Sequence, residues 1–161
     1  MLAVSIATVV DAPLSKNFGV KEVQRIEQFL KYAFTSVFVF GLLLIAIVLG
    51  FPELIIDLFL ESGEKETSTI ILAFLALVWP VFLFNGTNMV ISAYFTALHN
   101  PIASGIIAIS RSLLFPVLFI LTLPLFFGEK GLYLALVAAE FVTLIIAIVL
   151  FIKNTPSKSI S

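Results

Sequence analysis

Four long apolar stretches organise the chain. Tyr32 to Phe51 and Thr67 to Leu98 carry no charged residue, Pro101 to Phe127 is broken only by Arg111, and Leu132 to Ile152 only by Glu140. A helix needs about 20 apolar residues to cross a hydrocarbon core of about 30 Å. Each stretch reaches that length, and Thr67–Leu98 is long enough to cross with tilt or an interfacial extension. The two-residue alternation of a membrane β-strand is absent from all four. Lipid offers nothing to an open backbone, so the pattern predicts transmembrane helices at about 32–51, 67–98, 101–127 and 131–152.

The intervening segments carry a different pattern. Residues 1–14 are apolar apart from Ser5, Thr8 and Asp11, with no basic residue ahead of them as a signal peptide requires. Residues 1–19 therefore read as the second half of a transmembrane helix whose beginning is missing. Over 20–31, Val20, Val23, Ile26 and Leu30 recur at helical spacing opposite Lys21, Glu22, Arg25 and Gln28. That spacing predicts an amphipathic helix lying at the interface before the next span. Glu53, Asp57 and Glu61 are four apart, facing away from Leu54, Ile55, Leu58 and Phe59. This reads as the solvated face of a short interfacial helix, with an ion-attracting vestibule as the alternative.

Composition narrows the class. Of 161 residues, 61% are hydrophobic and 12% charged, with a net charge of −1; a soluble domain is about 25% charged. The balance excludes a basic nucleic-acid binder. With no cysteine and one histidine, the chain offers no disulfide framework, thiolate nucleophile or metal cluster. The expected fold is all-α, a polytopic helix bundle in contact with membrane lipid. Lys16, Lys21, Arg25 and Lys31 precede the first full span, and Lys153 and Lys158 follow the last; the opposite side holds Lys65 and Lys130. Six cations against two place the first connection and the 153–161 tail in the cytoplasm, on the inner face of the cell membrane.

The polar residues inside the spans are the candidates for function. Asp11 shares a face with Ser5, Thr8 and Ser15. It is either an interior carboxylate that exchanges a proton or holds a cation, or a hydrated group beside Lys16. Asn85, Asn88, Ser92 and Thr96 form one helical stripe, with Pro80 five residues ahead to bend the helix. Such a stripe lines an aqueous cavity or glues helices together; the bend favours the cavity. Arg111 and Glu140 lie about 13–15 Å and about 18 Å from the same ends of their helices. Side chains lean toward the helix N-terminus, which in antiparallel helices points these two apart, so Arg111 is expected to snorkel. A structural pair or a network with Asn or Ser is the reading preferred to a catalytic role. His99 reads as a turn residue, and no Ser, His and carboxylate share a site for nucleophilic catalysis.

In order along the chain, Pro13–Gly19, Ala93–Pro101, Ser110-Arg111, Phe127–Ala135 and Ala138-Ala139-Glu140 resemble features of the multidrug and toxic compound extrusion (MATE) transporters. They are similar, respectively, to the end of the eighth helix, the exit of the tenth, the Arg-containing eleventh, the Gly-x-x-Gly-x-Trp turn and the acidic position of the twelfth. Tyr133 stands where Trp is common, His99-Asn100 replaces Gly-Lys, and Asp11 is near a position often occupied by Gln. Thr67–Leu98 lacks the carboxylate that one branch of the family keeps there. The resemblance implies a partial second lobe of a twelve-helix transporter, partnered by a missing N-terminal lobe. It further implies an antiporter that exports small organic, often cationic or amphipathic, compounds in exchange for sodium ions or protons, with no other cofactor. The alternatives are a lipid-linked saccharide flippase of the same superfamily and a non-transporting membrane scaffold.

Overall fold

A computed structural model describes residues 14, 16–17, 22–59 and 65–156. The expectations that fall on residues 1–13, 15, 18–21, 60–64 and 157–161, Asp11, Lys21, Glu61 and Lys158 among them, lie outside the described residues. Helix α1 (Val23–Gly50) is followed by the short α2 (Pro52–Phe59), then α3 (Lys65–Val78) and α4 (Val81–Ala97). Next come α5 (Pro101–Ile109), a π-helical segment (Ser110–Leu114), α6 (Phe115–Phe127) and α7 (Glu129–Lys153). No strand is present among the described residues.

Three helical runs, Val23–Gly50, Pro101–Phe127 and Glu129–Lys153, are long and apolar enough to cross a bilayer. Thr67–Val78 and Val81–Ala97 make a fourth crossing if taken as one span, bent by 48°. The break lies at Trp79-Pro80, where proline has no N–H for the helical ladder.

Residues 23–31, the described part of the segment expected to lie separately at the interface, instead run without interruption into the first span. Ile26, Leu30, Ala33, Val37, Gly41 and Val48 are one buried stripe along all of α1. The apolar spacing that signals an amphipathic helix carries through Tyr32 in register, so nothing stops the helix there. Glu53 and Asp57 are exposed on α2, whose acidic face is open to solvent.

Small residues set the closest approaches. A Cβ added at Gly41 would lie 2.9 Å from Leu83 Cδ2, and one at Gly86 would lie 3.0 Å from Val37 Cβ, so α1 and α4 cross tightly. Helix α7 buries Gly131, Ala135, Ala139, Glu140, Thr143 and Ala147. Its first turn rests on the backbone of α6, where a Cβ at Gly131 would meet Leu123 and Pro124 at 2.5–2.6 Å. The α6–α7 turn also needs Gly128, at φ +59°. By contrast α6 buries none of its side chains, and Leu121, Leu125 and Phe126 stand open on a face suited to lipid.

At the Lys153 end, Tyr94 donates from its hydroxyl to Asn154 O at 2.6 Å. Phe34, Phe151 and Tyr94 pack edge to face there, with centroids 5.1–6.0 Å apart. Helix α4 ends in a Schellman arrangement: His99 N–H donates to Thr96 O and Asn100 N–H to Phe95 O. His99 takes the left-handed position at φ 52°, where glycine is usual. Asn100 then caps α5, its Oδ1 accepting from Ala103 N–H at 3.1 Å, with Pro101 at the first helical position.

Candidate functional site: a buried carboxylate cluster

Glu140 lies 13 residues from Lys153, the last residue of α7, or about 20 Å at 1.5 Å per residue. It is 5% exposed. A carboxylate at that depth needs donors or a counter-charge, and α4 supplies the donors. Asn85 Nδ2 donates to Glu140 Oε1 at 3.1 Å, and Asn88 Nδ2 donates to Oε2 at 2.8 Å and to the Glu140 carbonyl at 3.0 Å. Three residues apart on a helix, the two amides share one face. Arg111 supplies the counter-charge, its Nε lying 3.4 Å from Oε1.

Four of the residues singled out in the sequence therefore meet at one point. Two expectations are corrected by that geometry. Arg111 does not snorkel away from Glu140 but turns to it. Its helix is not regular there: Arg111 lies in the π segment, where Phe115 N–H reaches back five residues to Ser110 O. The rule for the lean of α-helical side chains does not carry over to such a turn. Pro116 is the sequence signal for this local change, since it cannot supply the N–H that Ser112 O would receive in an α-helix.

The second correction concerns the stripe. Asn88 is fully buried against α7, not open to an aqueous cavity. On another face of the same helix Val90, Ile91 and Phe95 are at most 2% exposed and pack within the bundle. Only the Asn85–Asn88 part of the stripe is drawn to Glu140, whose carboxylate receives both amides, while Thr96 at its end is exposed. Asn85 and Ser92 are half-buried. Ser92 stays outside the cluster; its carbonyl accepts from Thr96 Oγ1 at 3.1 Å. Pro80 marks the bend above the stripe.

Asn88 Oδ1 is buried and accepts no hydrogen bond. Beside the cluster, Pro80, Phe84, Leu123, Leu134, Val137, Ala138 and Phe141 line an open apolar groove of about 380 Å³. Phe84 and Phe141, the chain neighbours of Asn85 and Glu140, pack against each other in its wall with ring centroids 5.5 Å apart. Sequence reasoning did not find this groove, because it depends on the bend at Pro80 and on which face of α6 meets α7. No group of three or more His, Cys, Asp or Glu able to hold a metal is present among the described residues.

The fold has a solved counterpart, an outward-facing multidrug resistance MATE family transporter of the MOP superfamily. The match has a TM-score of 0.86 over 98% of this chain at 21% sequence identity. The chain spans 35% of the length of that protein. No curated protein matches it. The MatE family model matches residues 1–122, well over half of the chain, and the chain belongs to the MatE family.

Proposed function

We propose that this chain forms part of the second lobe of a secondary active antiporter. It exports small organic compounds, often cationic or amphipathic, in exchange for sodium ions or protons. The observation that carries the reading is Glu140: a carboxylate in mid-span, held by two amides and an arginine, in a chain of the MatE family. Interior ionisable groups in membrane proteins mark ion and substrate pathways. The groove beside Glu140 suits the apolar part of an amphipathic compound. An N-terminal lobe completes the cavity, the protein resides in the cell membrane, and the C-terminal end of α7 faces the cytoplasm.

The test is efflux of a cationic dye from cells producing the complete transporter, under imposed sodium or proton gradients. Dye leaving against its gradient, and stopping when one of the two ion gradients is collapsed, is the expected result. Movement of a lipid-linked saccharide without dye efflux would replace the antiporter reading with the flippase. No movement of either would leave a scaffold.

A further inference from the structure

The first helix is longer than its span requires. Its 28 residues reach about 42 Å at 1.5 Å per residue, the thickness of the hydrocarbon core together with both headgroup layers, about 40–45 Å. Phe34 packs edge to face on Phe151. Two residues from that contact, toward the same end of the bundle, come Tyr32 and Lys153, which therefore lie at similar depth. The turns of α1 before Tyr32 stand in the headgroup layer. Ile26 and Leu30 fix them to the bundle, and a different face is left open. Arg25, Phe29 and Tyr32 follow one another there at spacings of four and three, all exposed, Tyr32 by 67%. Inward from Tyr32 the same stripe holds Ser36, Phe40 and Leu43, exposed as well. The guanidinium of Arg25 pairs with no carboxylate among the described residues, where the one ion pair is that of Arg111 with Glu140.

We propose that this stripe binds an anionic phospholipid of the cytoplasmic leaflet. The phosphate lies on Arg25, the glycerol and ester region against Phe29 and Tyr32, and one acyl chain along Phe40 and Leu43. The polarity of the stripe follows that of a lipid from headgroup to tail. Eleven residues separate Tyr32 from Leu43, about 16 Å, which is the depth of one leaflet, half of a core of about 30 Å. A guanidinium matches two oxygens of a phosphate, and aromatic rings with a polar edge settle at the ester level. Preference for a net negative headgroup comes from the surroundings. Lys16, Lys31 and Lys153 are exposed at the same end. Over residues 15–31 and 153–161, six cations face two carboxylates, Glu22 and Glu27, and such a basic segment attracts anionic lipid. An apolar helix of another protein laid on this face would bury Arg25 without a counter-charge; a phosphate supplies one. The choice of leaflet rests on the orientation proposed above, and the choice of ligand does not.

Thermal melts of the purified protein in detergent test this, with dioleoyl phosphatidylglycerol or dioleoyl phosphatidylcholine added at equal concentration. The two lipids share their acyl chains and phosphate diester and differ in net charge. Wild type should gain about 3–5 °C more from the anionic lipid, the shift that a ligand at about ten times its Kd produces through one site. Arg25→Gln should remove most of that difference, and Tyr32→Ala should reduce the gain from both lipids alike. Lys130→Gln takes a cation from the other end of the bundle and should leave the difference as it is. All three positions are exposed, and Gln and Ala are good helix formers, so the variants fold. Equal gains from the two lipids in wild type would overturn the site. Equal losses in Arg25→Gln and Lys130→Gln would reduce the preference to net charge and overturn the role of Arg25. The melts need neither transport nor sidedness, so they can fail while dye efflux and the orientation stand, or succeed while those fail.

Discussion

At the scale of single residues, Asn88 carries more than its size suggests. Its amide supplies two short bonds to one buried residue of another helix. Asn88→Leu leaves Oε2 without its closest donor. Removing one partner of a buried charged group costs about 1–3 kcal/mol or more. The variant should therefore show a lower melting temperature and less folded protein, measured by fluorescence-detected size exclusion. Asn85→Leu should do so to a smaller extent, because Asn85 is only half-buried. Equal, wild-type yields of both would mean that the amides do not hold Glu140.

At the scale of elements, the bundle depends on where backbones touch. Gly131→Ala pushes a methyl group to 2.5–2.6 Å from the Leu123 and Pro124 backbone, which has no rotamer to yield. Overpacking of this kind costs about 1–3 kcal/mol. Gly105→Ala, in α5, meets nothing within 4 Å and should stabilise by about 0.5–1 kcal/mol through helix propensity. Thermal melts of the pair, run side by side, should move in opposite directions. The helical nature of these elements was legible in the sequence, because apolar length and the absence of alternation leave no other structure in lipid. The bend at Pro80 and the turn at His99-Asn100-Pro101 were also legible, each through one residue with fixed backbone demands. The continuity of α1 through Tyr32 was not, since amphipathic and fully apolar patterns share one helical period. A network of the intramembrane charges with Asn was legible too, but the turn of Arg111 toward Glu140 was not: it depends on the π segment, for which Pro116 is the local cue.

At the scale of the whole molecule, the exposed apolar faces and the bent fourth crossing give a multi-pass membrane protein of the MatE family. Orientation follows from charge. Asp57→Cys should react with an impermeant thiol reagent on intact cells, and Lys153→Cys only after permeabilisation. The reverse pattern would invert the topology. The absence of native cysteine keeps that labelling clean. The central claim is that Glu140 serves transport and not cohesion alone, and the complete transporter carrying Arg111→Gln together with Glu140→Gln tests it most directly. This double variant removes both charges at once, so neither is left buried without its partner, the situation that makes a single change to an ion pair destabilising. The account predicts folded protein close to wild-type amounts with dye efflux lost. Efflux at the wild-type rate from that folded double variant would contradict it, and would reduce the cluster to the glue between α4 and α7.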